Sequence, residues 1–293
     1  MILLFNFFYL KGSLIMKKQF SVPFAIIAII VISVLFSAFV PVKPLSKDEF
    51  AVGLECNYAP FNWTQLDNAN GAVAIKGGGG FCGGYDVEIA KKIAEGLGRE
   101  LVIVKTEWDG LIPAVNAEKI DAVIAGMSPT EERKFSVDFS DVYYESDLVI
   151  VIRKDSAYAG AESIQDFSGA RITAQLNTFH YSVIDQIKDV KKQAAMESFP
   201  TMLVALTSGK IDGYISERPS AISAAESNPD VTFVEFAEGE GFVASPEDVA
   251  VAVALKKGNP DLEAINEILA AISKEDRQAI MDNAIATQPV VGQ

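Results

Sequence analysis

From residue 50 to residue 285, short apolar runs alternate with amphipathic ones, and this alternation constrains the fold more than any other feature. It is the α/β pattern, in which buried strands are covered by helices. The spacing predicts a first strand over 50–54 and a helix capped by Asp86. That helix carries Val87, Ala90, Ile93, Ala94 and Leu97 at three- and four-residue intervals and ends at Gly96 to Gly98. A strand over 101–105, a short helix over 109–117 and a buried strand over 120–125 follow. Thr130, with Glu131 and Glu132 behind it, reads as a helix start with acid in its first turn. A second unit begins after an apolar run at 148–153, with strands over 171–175, 194–196, 211–216 and 231–235 and helices over 178–187, 200–207 and 218–226. A strand over 249–255 returns, followed by helices over 261–272 and 274–285. One unit, a second unit and a return imply two lobes joined by two crossing strands.

Two segments stand apart. Residues 68–84 are rich in glycine, with Gly77 to Gly80 in a row, and read as an extended surface hairpin or a mobile loop. No Lys-Ser/Thr follows the run, which argues against a phosphate cradle. At the amino terminus, Lys17 and Lys18 precede an apolar run over 23–40 interrupted only by Ser33 and Ser37. This reads as a signal peptide or an uncleaved signal anchor, with its linker filling residues 1–45. Met16 reads as the true start, because codons for Lys11-Gly12-Ser13 can spell a ribosome-binding site upstream of it. With no Cys near Ser37 or Ala38, a lipoprotein box is missing.

Charge narrows the partners. The chain carries a formal −14, and Lys11, Lys17, Lys18 and Lys43 are the only charged residues before Ser46. Without those four lysines, 21 basic residues stand against 39 acidic ones, so the exported body should repel nucleic acid and anionic lipid. Contact with the membrane then falls to the N-terminal segment alone. Cys56 and Cys82 form either a disulfide closing a loop of about 25 residues, worth about 3 kcal/mol, or two separate thiols. Without a CxxC, and with His180 the only histidine, no metal site is expected.

Six segments in order carry a family resemblance. They are Glu55-Cys56-Asn57-Tyr58-Ala59-Pro60-Phe61, Gly84-Tyr85-Asp86-Val87-Glu88-Ile89-Ala90, Trp108-Asp109-Gly110-Leu111-Ile112-Pro113-Ala114, residues 120–133 around Gly126-Met127-Ser128-Pro129-Thr130, Val137-Asp138-Phe139-Ser140, and Gly209-Lys210-Ile211-Asp212-Gly213-Tyr214. Together they make the chain, from Phe50 to about Ile285, resemble the periplasmic amino-acid-binding proteins of ABC importers. This is the type II group that includes lysine-arginine-ornithine, histidine and glutamine binders. The resemblance implies an α/β, two-lobed Venus flytrap with two hinge-crossing strands, closing by hinge motion. It places lobe 1 at 46–149 plus 246–293 and lobe 2 at 150–245. It further implies a monomeric binding protein, periplasmic or on the outer face of the cytoplasmic membrane. Its partners would be an amino acid, a permease and an ATPase subunit, with no cofactor.

A free amino acid presents a carboxylate, an ammonium and a side chain. By the resemblance, Arg133 forks onto the carboxylate, where a planar guanidinium makes two charge-assisted bonds. Gly126, Met127 and Ser128 form the loop touching the amino group and carboxylate, and Thr178 opens a helix whose N–H groups suit the carboxylate. Many relatives have glycine before that threonine, where this chain has Asn177. Glu217, more often Asp in the family, neutralises the ammonium. Tyr58 and Trp108 sandwich the side chain, and Glu55 at the pocket mouth favours a basic one, glutamine being next. Gln175, Phe179 and His180 tune selectivity, His180 reading equally as a packing residue. Two other classes use this fold. One is the cyclohexadienyl dehydratases, which need a placed acid or base; the other is sensory modules, which need an output domain. The Arg133 and Glu217 clamp fits retention better than turnover, so no enzyme activity is expected.

Overall fold

The computed structural model describes residues 48–289, so the leader, cleavage, lipobox and start-site readings lie outside the described residues. Among the described residues no helix is long and apolar enough to cross a membrane. The described residues open with β1 (Glu49–Leu54), then β2 (Asn57–Tyr58), β3 (Asn62–Gln65), β4 (Val73–Ala74) and β5 (Phe81–Gly83). Helix α1 (Tyr85–Gly96), β6 (Glu100–Lys105), α2 (Leu111–Asn116), β7 (Ala122–Val123), α3 (Glu131–Lys134) and β8 (Val137–Glu145) complete the first unit. The second contains β9 (Leu148–Arg153), β10 (Arg171–Thr173), α4 (Phe179–Val183), β11 (Lys191–Lys192), α5 (Phe199–Thr207), β12 (Gly213–Glu217), α6 (Arg218–Ser227) and β13 (Val231–Val234). The return is β14 (Ala250–Lys256) with α7 (Leu262–Ala270) and α8 (Lys274–Thr287).

The two main sheets repeat one plan. The first has the order β6-β1-β7-β14-β8 and the second β11-β10-β12-β9-β13. In each, four strands run in one direction and a single strand next to one edge, β14 in the first sheet and β9 in the second, runs against them. The chain passes between sheets twice, from β8 to β9 and from β13 to β14, which gives the two-lobed α/β architecture with two crossings. Burial follows from this plan. In β9, Leu148, Ile150 and Ile152 enter one core cluster while Val149 and Val151 enter another, so the strand is apolar on both faces. The first sheet has its own core, built from residues such as Phe50, Val52, Leu54, Ile103 and Val253.

Several elements differ from the sequence expectation. Asp86 sits inside α1, behind an N-cap Gly84, and its carboxylate turns into the core instead of capping the helix. Strand β8 escapes the periodicity because Asp138, Ser140 and Asp141 break its alternation. The strand expected over 194–196 pairs at Lys191–Lys192, an edge that needs no apolar run, and continues only as a bridge from Met196 to Gln175. The glycine-rich segment is ordered as a hairpin within the small sheet β2-β3-β5-β4. Gly77 to Gly80 all take positive φ, and a Cβ on Gly80 would lie 2.6 Å from the Gln65 carbonyl oxygen.

A disulfide joins Cys56, just after β1, to Cys82 in β5, and spans 26 residues. It ties this small sheet to the strand end that leads to Tyr58. In the chain-entropy model such a loop contributes about 3 kcal/mol. Cys56→Ser/Cys82→Ser, or reduction of the native chain, should therefore lower the urea unfolding midpoint by that equivalent. A midpoint unchanged by both treatments would contradict it.

Candidate functional site

Loops at the C-terminal ends of parallel strands converge where the sheets face each other, the usual place for a ligand in such folds. The cleft is lined from the first lobe by Tyr58, Trp108, Gly126, Ser128 and Arg133. Gln175, Thr178, Phe179, His180, Phe199 and Glu217 line it from the second. Tyr58 lies in β2, Trp108 in the turn after β6, Gly126 and Ser128 in the loop after β7, and Arg133 in α3. Gln175 and Thr178 follow β10, and Glu217 is the last residue of β12.

Glu217 is 4% exposed. Its Oε2 accepts a hydrogen bond from the Tyr58 hydroxyl across the cleft. Its Oε1 stands 2.9 Å from His180 Nε2. Burial by itself would raise the carboxyl, but His180 and the Tyr58 hydroxyl outweigh it and hold the group below the usual carboxylate range. The second lobe thus keeps an ionised acid out of water.

Arg133 supplies the opposite charge. Its Nη1 donates to the Ser128 carbonyl at 2.9 Å and its Nη2 to the Asn177 carbonyl at 3.1 Å, while the guanidinium stands 5.0 Å from the Trp108 ring centroid. Burial pushes it down to about 10 against the pull of Glu132, Asp248 and Glu217, which leaves it charged at neutral pH. Asn177 takes a left-handed φ of 55°, a conformation Asn tolerates better than most residues. Its side chain donates to Asp109 Oδ1 at 2.8 Å, a cross-cleft bond that glycine could not make.

The remaining expected residues divide. The Ser128 hydroxyl donates to the Asp248 carbonyl at 2.8 Å and the Thr178 hydroxyl to the Gln175 carbonyl at 2.7 Å. Met127 does not line the cleft: it is buried in the first core, and its carbonyl accepts from the Ala252 N–H at 3.0 Å. Glu55 lies behind the lining, with its oxygens 3.3 and 3.4 Å from Gln175 Nε2. Burial, opposed by that hydrogen bond and reinforced by Glu107 and Asp109, raises its carboxyl to about 7. Beneath Gly126, Asp86 accepts from Tyr143 at 2.7 Å and from Asn62 at 2.9 Å, and the Gly126 N–H donates to the Tyr143 hydroxyl at 3.3 Å. Gly126 has φ +61°, and a Cβ there would lie 2.9 Å from Tyr58 Cε1. Sequence reasoning misses Phe199, whose one signal is an apolar residue between the helix cap Ser198 and Pro200.

Comparison with known proteins gives a consistent set. The family described as bacterial extracellular solute-binding proteins, family 3, matches residues 50–284. The arginine-binding extracellular protein ArtP of Bacillus subtilis is 29% identical over 231 residues, covering 76% of this chain and 80% of that protein. The L-cystine-binding protein TcyJ of Escherichia coli K12 is 28% identical over 234 residues, covering 80% of each. Among solved structures, an amino acid ABC transporter substrate-binding protein from Streptococcus pneumoniae Canada MDR_19A bound to L-arginine superposes with a TM-score of 0.72 at 26% identity. The match covers 83% of this chain and 96% of that one.

The raised Glu55 carboxyl has a signed consequence for stability. Between its ordinary value of 4.5 and about 7, the folded chain holds a proton that the unfolded chain has released. Stability therefore falls as pH rises through that window and levels off above it. Glu55→Gln removes this loss, so the stability of the variant relative to the native chain should rise on the order of 2–3 kcal/mol from pH 4.5 to 7. Urea unfolding curves at the two pH values decide the point, and a constant difference would contradict it.

Proposed function

The chain belongs to the bacterial extracellular solute-binding proteins, family 3, and from that premise we propose that it is the extracytoplasmic substrate-binding component of an ABC importer for a free L-amino acid with a cationic side chain. The observation that carries this reading is the pairing, in one cleft, of the Arg133 guanidinium from one lobe with the buried Glu217 carboxylate from the other. A zwitterion is the small molecule whose two charges answer both. Arg133 would turn its two donors onto the α-carboxylate. Glu217, kept ionised by its contacts with Tyr58 and His180, has lone pairs left for the ammonium.

The side-chain end is acidic. Glu107 and Asp109 both act electrostatically on Glu55, which stands beside Gln175, and this gathering of acids supports a basic ligand. The arginine-binding relatives point the same way, and the relatives named above are binding proteins. In this reading lobe 1 comprises residues 46–149 with 246–293 and lobe 2 residues 150–245. The leader delivers the chain outside the cytoplasmic membrane, and the closed, loaded form is presented to the permease and its ATPase.

Thermal-shift screening of the twenty amino acids, followed by calorimetry, tests the proposal. A basic amino acid should bind at about micromolar Kd or tighter and be recovered unchanged. Arg133→Ala should weaken it about 100-fold or more, since two charge-assisted bonds of about 1.5–3 kcal/mol each are lost. Chemical conversion of the ligand, or undiminished binding by Arg133→Ala, would contradict the reading.

A further inference from the structure

One cleft residue has no part in the clamp. Phe199 opens α5, held there by Ser198 at the helix cap and by Pro200 in the first turn. It packs against the cores of both lobes. Its ring stacks on Tyr58 with centroids 4.2 Å apart and planes at 23°, and meets Tyr214 of its own lobe edge-on at 6.2 Å. Tyr58 is further stacked by Phe61 at 5.1 Å, and its hydroxyl is tied to Glu217. The Tyr58 ring is therefore held at its tip and flanked by aromatic rings from both lobes. Phe61 is buried in the first core, whereas Phe199 lines the cleft, so Phe199 occupies ring surface that an incoming side chain would otherwise use.

We propose that Phe199 is a specificity-determining residue: by covering Tyr58 from the second lobe, it confines the ligand side chain to the region of Trp108, Gln175 and Glu55. A slender unbranched chain ending in a cation fits this confinement, because its stem needs little width and its end meets the acidic groups. A broad aromatic side chain would have to take the place of the Phe199 ring. The inference rests on the amino-acid-binding reading above and adds to it which wall of the site rejects which side chains.

The test is calorimetry of the full exported chain with L-arginine, L-lysine, L-phenylalanine and L-tryptophan, for the native protein, Phe199→Ala, Phe199→Leu and Phe199→Tyr. The ratio of aromatic to basic Kd should fall at least tenfold in Phe199→Ala and by a smaller factor in Phe199→Leu. It should stay within threefold of the native value in Phe199→Tyr, which keeps the ring. Leucine preserves apolar contact with both cores, so it serves where the alanine variant fails to fold. A ratio unchanged in a folded, ligand-binding Phe199→Ala or Phe199→Leu would overturn the assignment of Phe199 and leave the function standing. A native protein that binds none of the twenty amino acids would overturn the function and this inference with it.

Discussion

A carboxylate held out of water where two sheets meet is the interaction on which the rest of the site depends. A charge placed as Glu217 is persists only where other groups replace its hydration. Here the replacements come from both sides: the Tyr58 hydroxyl from the first lobe and His180 from the second. Separation of the lobes would strip Tyr58 from the acid, so lobe position and the solvation of Glu217 are coupled. The bonds from Arg133 and Trp108 to the Asn177 carbonyl and from Gln175 to Glu55 cross the same boundary. The cleft therefore has polar contacts of its own that a ligand must reproduce or replace.

Behind these groups the fold supplies rigidity in layers. The doubled plan of four strands in one direction with one opposed strand next to the edge aims the strand ends of both sheets at one seam. Under the seam, Asp86, Asn62 and Tyr143 form a buried hydrogen-bonded set that fixes the Gly126 N–H. Burial raises the Asp86 carboxyl to about 7, offset in part by its bonds from Tyr143 and Asn62. Gly126 in turn lets the Tyr58 ring approach closer than any side chain would allow. A line of contacts thus runs from the first turn of α1 through the β7 loop to the aromatic ring that touches Glu217. The disulfide at Cys56 holds the other end of that ring's strand.

Much of this was legible in the residues themselves. The two-unit alternation and its return yielded the lobes and crossings, because strands buried on both faces write continuous apolar runs such as 148–153. The helix start at Thr130 was readable from its cap and acidic first turn, and the structure shows that cap accepting the Arg133 N–H. Strand β8 was not readable, since its partners in β14, not its own alternation, hold it in place. The burial of Asp86 was misread as capping because Asn62 and Tyr143, the groups that satisfy it, lie 24 and 57 residues away. Phe199 was invisible for a related reason. Nothing local distinguishes a helix-opening phenylalanine that feeds its own core from one that crosses to another lobe. Motif matching carried the charged pair, while the contacts that surround the pair had to come from three dimensions.

The account of function reduces to one arrangement: a zwitterion spanning Arg133 and Glu217 between closed lobes. A crystal structure of the protein with its tightest-binding amino acid measures that arrangement most directly. The account predicts the α-carboxylate forked by the Arg133 guanidinium and the α-ammonium on Glu217, with the side chain running toward Trp108 and Glu55. A ligand bound outside the cleft, or one whose ammonium lies away from Glu217 while the carboxylate ignores Arg133, would contradict it.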